Sequence, residues 1–148
     1  MKNNLPEFKI SLKKKGSTEE LFPITDAESA AEMCRKCFES DVIDWKEEFI
    51  AIALSRSNKV IGFYKVSSGG VTGTVVDPKV VFQFALLCNA SRLIVSHNHP
   101  SGNSSPSDQD KRITEKIVNA GALLDIDVLD HIIITSEGYT SFMEEGWL

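Results

Sequence analysis

Two histidines and a nearby acid are the residues of this sequence whose types and spacing best suit metal chemistry. His97 and His99 stand two residues apart at the end of the apolar run Leu93-Ile94-Val95, and a loop rich in Gly, Ser and Pro follows. If this run is a strand, side chains at i and i+2 project from one face about 7 Å apart, so both imidazoles can reach one ion. The sequence therefore predicts a metal site, with Asp110 as the third ligand.

The segment that carries Asp110 also has a purely structural interpretation. Ser107 followed three residues later by an acid is typical of a helix N-terminus, with Ser107 as the N-cap and the acid facing the positive end of the helix dipole. The two histidines can equally be surface residues of a loop, and Asp108 is an alternative ligand. Residue types alone leave these alternatives open.

The spacing of the whole set resembles the JAMM (MPN+) metalloprotease motif, which runs H-x-H-P, six residues, S-x-x-D. In this chain the motif is matched by His97-x-His99-Pro100 and Ser107-x-x-Asp110. The flanking segments resemble the bacterial RadC-like branch of that family, from Ser96 to Asn103 and again at Leu129-Asp130-His131. The resemblance covers the chain from about Glu47 onward, and its interval from histidine to acid selects Asp110 over Asp108.

This resemblance implies an α/β fold, a single JAB/MPN-like (cytidine-deaminase-like) domain with a mixed central sheet flanked by helices. It implies one zinc ion per chain on His97, His99 and Asp110. An open fourth position is the arrangement of a catalytic zinc, although imidazole and carboxylate ligands also suit manganese, iron or cobalt. The Ser107 hydroxyl would face the oxyanion of a tetrahedral intermediate as well as cap its helix.

A general base is expected at one of two adjacent glutamates at the head of an apolar strand. Successive strand residues face opposite sides, so only one of Glu47 and Glu48 can point at the metal. JAMM proteins place their glutamate directly before the apolar segment, which favours Glu48. The E-x-F pattern of the RadC-like branch favours Glu47, two residues before Phe49, and Glu47 is our choice.

Two further residues near the motif carry secondary interpretations. Asn98 stands where the eukaryotic enzymes usually have Ser or Thr, which leaves the ligands intact and bears on how the loop treats a substrate. His131 is interpreted as a polar residue of a half-buried strand, or as a partner of a ligand, rather than as a fourth ligand.

The composition bounds the other classes of function. The chain has 148 residues, a formal net charge of −5 and 42% hydrophobic residues, which predicts one ordinary globular domain. An acidic chain binds polyphosphate poorly, so direct nucleic-acid binding is not expected, and Lys13-Lys14-Lys15 is interpreted as a solvated strand end. The N-terminus lacks a signal-peptide core and no stretch suits a membrane span, so we expect a cytoplasmic protein.

The three cysteines are interpreted as structural. A C-x-x-C pair, Cys34 and Cys37, lies late in a predicted helix, whereas redox pairs sit at a helix N-terminus where the dipole lowers the thiol pKa. Both cysteines fit one buried stripe with Ala30 and Phe38. Cys88 lies in an apolar helix and is expected in the core.

The extent of the resemblance implies an N-terminal extension with one helix, residues 1–42, followed by a RadC-like domain at 43–148. The predicted strands lie at 8–12, 49–54, 60–66, 71–76, 92–96, 128–135 and 139–142. The predicted helices lie at 27–40, at 78–89 with Asp77 as N-cap, and at 108–120 with Gly121 as C-cap.

Three functions fit these features. The first is a zinc-dependent amide hydrolase that cleaves a peptide or isopeptide bond in a peptide or protein substrate. The second is the DNA-repair accessory role traditionally given to RadC-like proteins, whose longer members add a helix-hairpin-helix domain that we do not find here. The third is a non-catalytic MPN interaction module, which the intact ligand set disfavours. Substrate identity and oligomeric state are not predicted.

Overall fold

The computed structural model describes residues 4–17, 21–70 and 74–148. Within these residues, helices and strands follow one another in a single mixed α/β arrangement, in the order α1 (Ala27–Cys37), β1 (Glu48–Leu54), β2 (Val60–Ser68), α2 (Pro78–Leu87), β3 (Arg92–Asn98), α3 (Asp108–Leu123), β4 (Asp127–Ile134) and β5 (Tyr139–Ser141). The sheet order is β2-β1-β3-β4-β5, with β3 and β4 parallel and the other pairs antiparallel. This confirms the predicted fold class.

Helices cover the sheet on both faces. One hydrophobic cluster joins α1 to the sheet, and a second joins α2 and α3 to the opposite face. All seven residues of β1 are buried, as expected for a central strand covered on both sides. Ile50, Ile52 and Leu54 belong to the α1 cluster, whereas Phe49, Ala51 and Ala53 belong to the other. We call these sides the α1 face and the cleft face.

The helix N-termini form as their sequences predict. Asp26 caps α1, and Asp77 caps α2 with Pro78 in the first turn. At α3, Ser107 Oγ accepts from Asp110 N at 3.0 Å and Asp110 Oδ2 accepts from Ser107 N at 2.8 Å, a reciprocal capping box. This reciprocal pair holds the Asp110 carboxylate at the start of α3, where the site needs it.

The predicted C-cap at Gly121 is wrong. α3 continues to Leu123, and the left-handed residue that follows it is Asp125, with φ 55°. Gly121 lies buried inside the helix, where a Cβ atom would stand 2.4 Å from the carbonyl oxygen of Ile126. Glycine is needed there because the chain entering β4 passes directly against α3.

The predicted strand at 8–12 is also wrong, since residues 4–15 belong to no helix or strand and are exposed. Of the predicted extended segment 71–76, residues 71–73 lie outside the described residues and 74–76 belong to no strand. Each of the other predicted boundaries lies within three residues of the observed one. Among the described helices, none combines the length and the apolar character needed to cross a membrane.

Cys34 and Cys37 occupy structural positions, as predicted, whereas Cys88 was expected in the core and is not fully buried. Cys34 is fully buried in the α1 cluster and Cys37 packs against it. Burial raises the pKa of the Cys34 thiol well above its ordinary value and that of Cys37 to about 12, so neither is a reactive thiolate at neutral pH. Cys88 is only partly buried and packs against the α2–α3 cluster, so it lies at the margin of the core.

Candidate metal centre

Three side chains converge where β3 ends. His97 lies in β3, His99 follows directly after it, and Asp110 lies in the first turn of α3. The Nε2 atoms of the two histidines are 2.8 Å apart. The Asp110 carboxylate places Oδ1 at 3.4 Å from His97 Nε2 and Oδ2 at 3.3 Å from His99 Nε2. The structure thus brings together the three residues that the sequence analysis assigned to the metal.

A second carboxylate completes this cluster. Glu47 precedes β1 on the cleft face, with Oε1 at 4.0 Å from His99 Nε2. One ligand atom each from Glu47, His97 and His99 lies within 4.8 Å of the others, so this triad also has the spacing of a metal site. Asp110 lies nearer to both Nε2 atoms than Glu47 lies to His99, which favours Asp110 as the third ligand and leaves Glu47 beside it.

Strand parity separates the two candidate glutamates. Glu47 Oε2 accepts from the backbone N–H of Thr74 at 2.8 Å, so the second oxygen of this carboxylate remains directed at the histidines. Glu48 points to the α1 face, is 2% exposed, and pairs with Lys65 Nζ at 3.0 Å. The structure therefore places Glu47, and not Glu48, in the cluster.

A buried hydrogen-bond chain determines which nitrogen of His97 carries its proton. Thr114 Oγ1 donates to the carbonyl oxygen of Asp110 at 2.6 Å and so accepts from His131 Nδ1–H, also at 2.6 Å. Burial lowers the pKa of His131 well below its ordinary value, so this imidazole is neutral and its Nε2 is an acceptor. His97 Nδ1 must then donate to it at 2.7 Å. Neutral His97 therefore presents a bare lone pair on Nε2.

The same deduction holds for His99. Its Nδ1 lies 2.6 Å from the carbonyl oxygen of Asn103, which can only accept, so Nδ1 carries the hydrogen. Neutral His99 also presents a bare lone pair on Nε2. Two such lone pairs 2.8 Å apart repel each other unless a cation or a proton lies between them. With two carboxylates alongside, the cluster has the donor chemistry of a cation site.

The pKa shifts of His99 and Asp110 both arise from hydrogen bonds between the histidines and Asp110 that outweigh burial. Burial by itself lowers the pKa of His99, but hydrogen bonds to Asp110 and to the Asn103 carbonyl oxygen outweigh burial, so the pKa is raised. Burial by itself raises the pKa of Asp110, but a proton on the Nε2 atoms of His97 and His99 lets them donate to this carboxylate, and these hydrogen bonds outweigh burial and hold the pKa of Asp110 far below its usual range. Asp110 is thus a carboxylate throughout the physiological range, as a metal ligand must be.

Comparison with known proteins agrees with this geometry. Residues 24–147 match the family model described as "RadC-like JAB domain". The chain belongs to the RadC-like JAB domain family. It is similar to UPF0758 proteins of Flavobacterium johnsoniae (51% identity over 100 residues), Salinibacter ruber (46% over 101) and Methanosarcina acetivorans (45% over 103).

These alignments cover 68%, 68% and 70% of this chain but only 44%, 43% and 45% of the respective relatives. The chain therefore spans about half the length of the curated relatives it matches. The family match begins at residue 24 and so includes α1, which packs on the same sheet as the site.

Asn98 is a residue of the RadC-like domain whose role the sequence did not reveal. It is buried on the α1 face, where Nδ2 donates to the carbonyl oxygens of Ile43 at 2.9 Å and Lys46 at 2.8 Å. Its Oδ1 accepts from Glu48 N at 2.8 Å. Asn98 thus fastens the loop before β1, the loop that ends in Glu47, and it does not line the cleft. The sequence analysis predicts instead that Asn98 influences how the loop in which it lies treats a substrate.

Two phenylalanines hold the imidazoles in place. Phe49 pairs with His97 across the sheet, and the two rings stack with centroids 5.9 Å apart and planes 12° apart. Phe142 stacks on His131 with centroids 4.5 Å apart. The E-x-F pattern pointed to Phe49 only as a marker of Glu47, and no sequence signal pointed to Phe142, because both contacts depend on strand pairing.

The cluster lies at the floor of an open cleft of about 660 Å³. Residues 74–76 form one wall, and the first half of α3 forms the other. Ser107 lines the cleft as well as capping α3.

Proposed function

We propose that this RadC-like domain is a metal-dependent amide hydrolase that cleaves a peptide or isopeptide bond in a peptide or protein substrate. The observation that carries the proposal is the convergence of the His97 and His99 Nε2 atoms, 2.8 Å apart, beside two carboxylates at the floor of an open cleft. The JAB-domain family includes hydrolases, which agrees with such a site.

The metal would be held by His97, His99 and Asp110, one ion per chain. Two imidazoles and one carboxylate are the ligand set of catalytic zinc sites, so zinc is the proposed metal. When bound, the ion would polarise a water molecule and the scissile carbonyl. The protein contributes two imidazoles whose Nδ1 hydrogen bonds leave Nε2 to face the metal, and a carboxylate whose lowered pKa keeps it ionised.

Glu47 is the proposed general base. The Thr74 N–H fixes one carboxylate oxygen, and the other faces the histidines, where it can take a proton from the attacking water and return it to the leaving amine. Ser107 can serve as both cap and oxyanion donor. Its oxygen accepts from Asp110 N with a lone pair, which leaves its hydroxyl hydrogen available to the cleft.

The test compares two neighbouring glutamates. We expect about one zinc per chain by elemental analysis, and hydrolysis of at least one member of a panel of peptide and isopeptide substrates. Glu47→Gln should keep the zinc and lower turnover by about 10²–10⁴-fold. Glu48→Gln is the matched control and should retain turnover, because Glu48 lies on the other face.

Two outcomes would contradict this proposal. Stoichiometric zinc without hydrolysis of any substrate would favour the non-catalytic interaction module or the DNA-metabolism role. Full turnover in Glu47→Gln would remove the general base from the mechanism while leaving the metal site in place.

A further inference from the structure

The N-terminal segment has the pattern of a strand but pairs with no strand in the described part of the chain. Phe8, Ile10 and Leu12 alternate with Lys9 and Ser11, the period of a strand with one apolar side. The three apolar side chains are 84%, 78% and 53% exposed. Within the part of the chain that the structure describes, residues 4–15 make no hydrogen bond to the domain. The apolar side of this segment is therefore left exposed to solvent.

The domain offers an open strand edge of matching length. β2 is the outermost strand of the sheet, nine residues long, and within the described residues its pairing is with β1. Its outer backbone N–H and C=O groups are therefore free to accept another strand. The opposite edge is β5, which has only three residues and is too short for this purpose.

Both faces of β2 carry apolar surface beside this edge. Phe63, opposite Ile52, lies on the α1 face and is 49% exposed. Tyr64 lies on the cleft face, stacks on Phe84, and is 48% exposed. A strand added to β2 would place its alternate side chains next to one of these rings, so the exposed surfaces of edge and segment would cover each other.

The segment leaves the domain at one end of this edge. Ile24 N donates to the carbonyl oxygen of Asn58 at 3.1 Å, in the turn that leads into β2. The eleven residues 13–23 can span roughly 35 Å when extended. Two copies related by a two-fold axis can therefore each reach the other's β2, and because the exchange is reciprocal it stops at two copies.

We propose that residues 5–12 form an additional strand on the β2 edge of a second copy of this chain, in a reciprocal strand-exchanged dimer. A second copy is the partner because donor segment and acceptor edge belong to the same chain, so one contact repeated twice covers both. In its own chain the segment does not lie on β2. This proposal is independent of the metal site and of hydrolysis.

The test is the oligomeric state of the full chain by sedimentation equilibrium over a wide concentration range. The wild type should be a dimer, and Phe8→Ser/Ile10→Ser should be a monomer. Lys9→Ala/Ser11→Ala is the matched control, since it alters the same segment on its polar side, and should remain a dimer. Circular dichroism spectra of both variants that match the wild-type spectrum would show that the substitutions leave the fold intact.

Amide hydrogen exchange then locates the contact. The outward-facing amides of β2 should be protected in the wild type and in the control, and should exchange rapidly in Phe8→Ser/Ile10→Ser. A monomeric wild type would overturn the proposal, as would a dimer that survives the apolar substitutions. A dimer lost without any change in β2 exchange would also overturn it, because the interface would then lie elsewhere.

Discussion

Neighbouring residues on the two faces of the sheet have opposite chemistry. On the cleft face, the Nε2 atoms of His97 and His99 face each other 2.8 Å apart, and among the described residues their other close neighbours are carboxylate oxygens. On the α1 face, Ser96 Oγ donates to the Ile132 carbonyl oxygen at 2.7 Å, and Asn98 uses its amide nitrogen and oxygen within the protein. The four residues are consecutive, so strand alternation alone separates a ligand-binding edge from an anchoring one.

The hydrogen-bond partners of these side chains distinguish the candidate metal site from residues that stabilise the fold. A buried polar side chain whose partners are all protein atoms holds the fold, whereas converging lone pairs without partners indicate a missing cation. Substitutions on the cleft face should therefore change metal binding and spare the fold. Substitutions on the α1 face should do the reverse.

His99→Ala should have the largest effect on metal binding. It removes one of two facing lone pairs, so the metal content should fall from about one ion per chain to nearly none, while the circular dichroism spectrum remains that of the folded protein. Elemental analysis of the purified, untagged protein measures this. Ser96→Ala, on the other face, is the control and should keep the metal. Retention of zinc by His99→Ala would exclude His99 as a ligand.

Asn98→Asp should have the largest effect on stability. The aspartate cannot donate to the carbonyl oxygens of Ile43 and Lys46, and it would bury a charge against them. We expect a loss of about 3 kcal/mol in the free energy of unfolding at neutral pH, measured by denaturant titration. The loss should shrink under acidic conditions, where the new carboxyl is protonated.

In Asn98→Asp the metal ligands are untouched, so zinc should still bind to the folded fraction. If Asn98→Asp lost the metal without losing stability, Asn98 would belong functionally to the cleft face, which would contradict the distinction between the two faces. Turnover should fall to the extent that the loop carrying Glu47 becomes mobile when its hydrogen bonds from Asn98 are lost.

Much of this site could be predicted from sequence because its parts are local. The candidate ligands lie in one motif, and the caps at Ser107 and Asp77 depend on residues two or three positions apart. The choice of Glu47 over Glu48 needed strand parity, which a sequence narrows to two options but resolves only when the orientation of β1 is known. The spacing of residues along the sequence was sufficient to identify the candidate ligands and to reduce the general base to these two glutamates.

The features that sequence reasoning missed depend on contacts between distant segments. Asn98 acts on a loop more than fifty residues earlier, and His131 reaches His97 only because β3 and β4 are parallel neighbours. Gly121 resembles a C-cap locally, but the passage of Ile126 against α3 decides its role. Alternation at 8–12 is typical of a strand, but the described residues 4–15 form none, because strand formation depends on pairing with a distant segment, which a local pattern does not specify.

His131→Phe should have an intermediate effect on the metal. The change keeps the stacking on Phe142 but removes the acceptor that holds the His97 tautomer. Zinc affinity should fall by about 10–100-fold, as measured by competition with a chelating dye. Thr114→Val tests the far end of the chain and should have a smaller effect. Unchanged affinity in His131→Phe would mean that packing alone orients His97.

The smallest expected effect is on the pH dependence of stability of the metal-free protein. The pKa of His99 is raised in the folded state, mainly through Asp110 acting against burial, so protonated His99 stabilises the fold. This contribution is fully present below the unfolded pKa of histidine and is lost as the pH rises through the raised folded value. Deprotonation leaves the two Nε2 lone pairs facing each other, which a cation would relieve.

The thermal unfolding midpoint in the presence of EDTA should therefore fall as the pH rises from slightly acidic to slightly alkaline. With zinc it should stay level or rise over the same range, because metal binding competes with protons for the same nitrogens. The stabilisation by zinc should thus grow with pH, and His99→Ala should abolish both trends. Parallel curves with and without zinc would contradict the inference that a proton occupies the cation's place in the metal-free cluster.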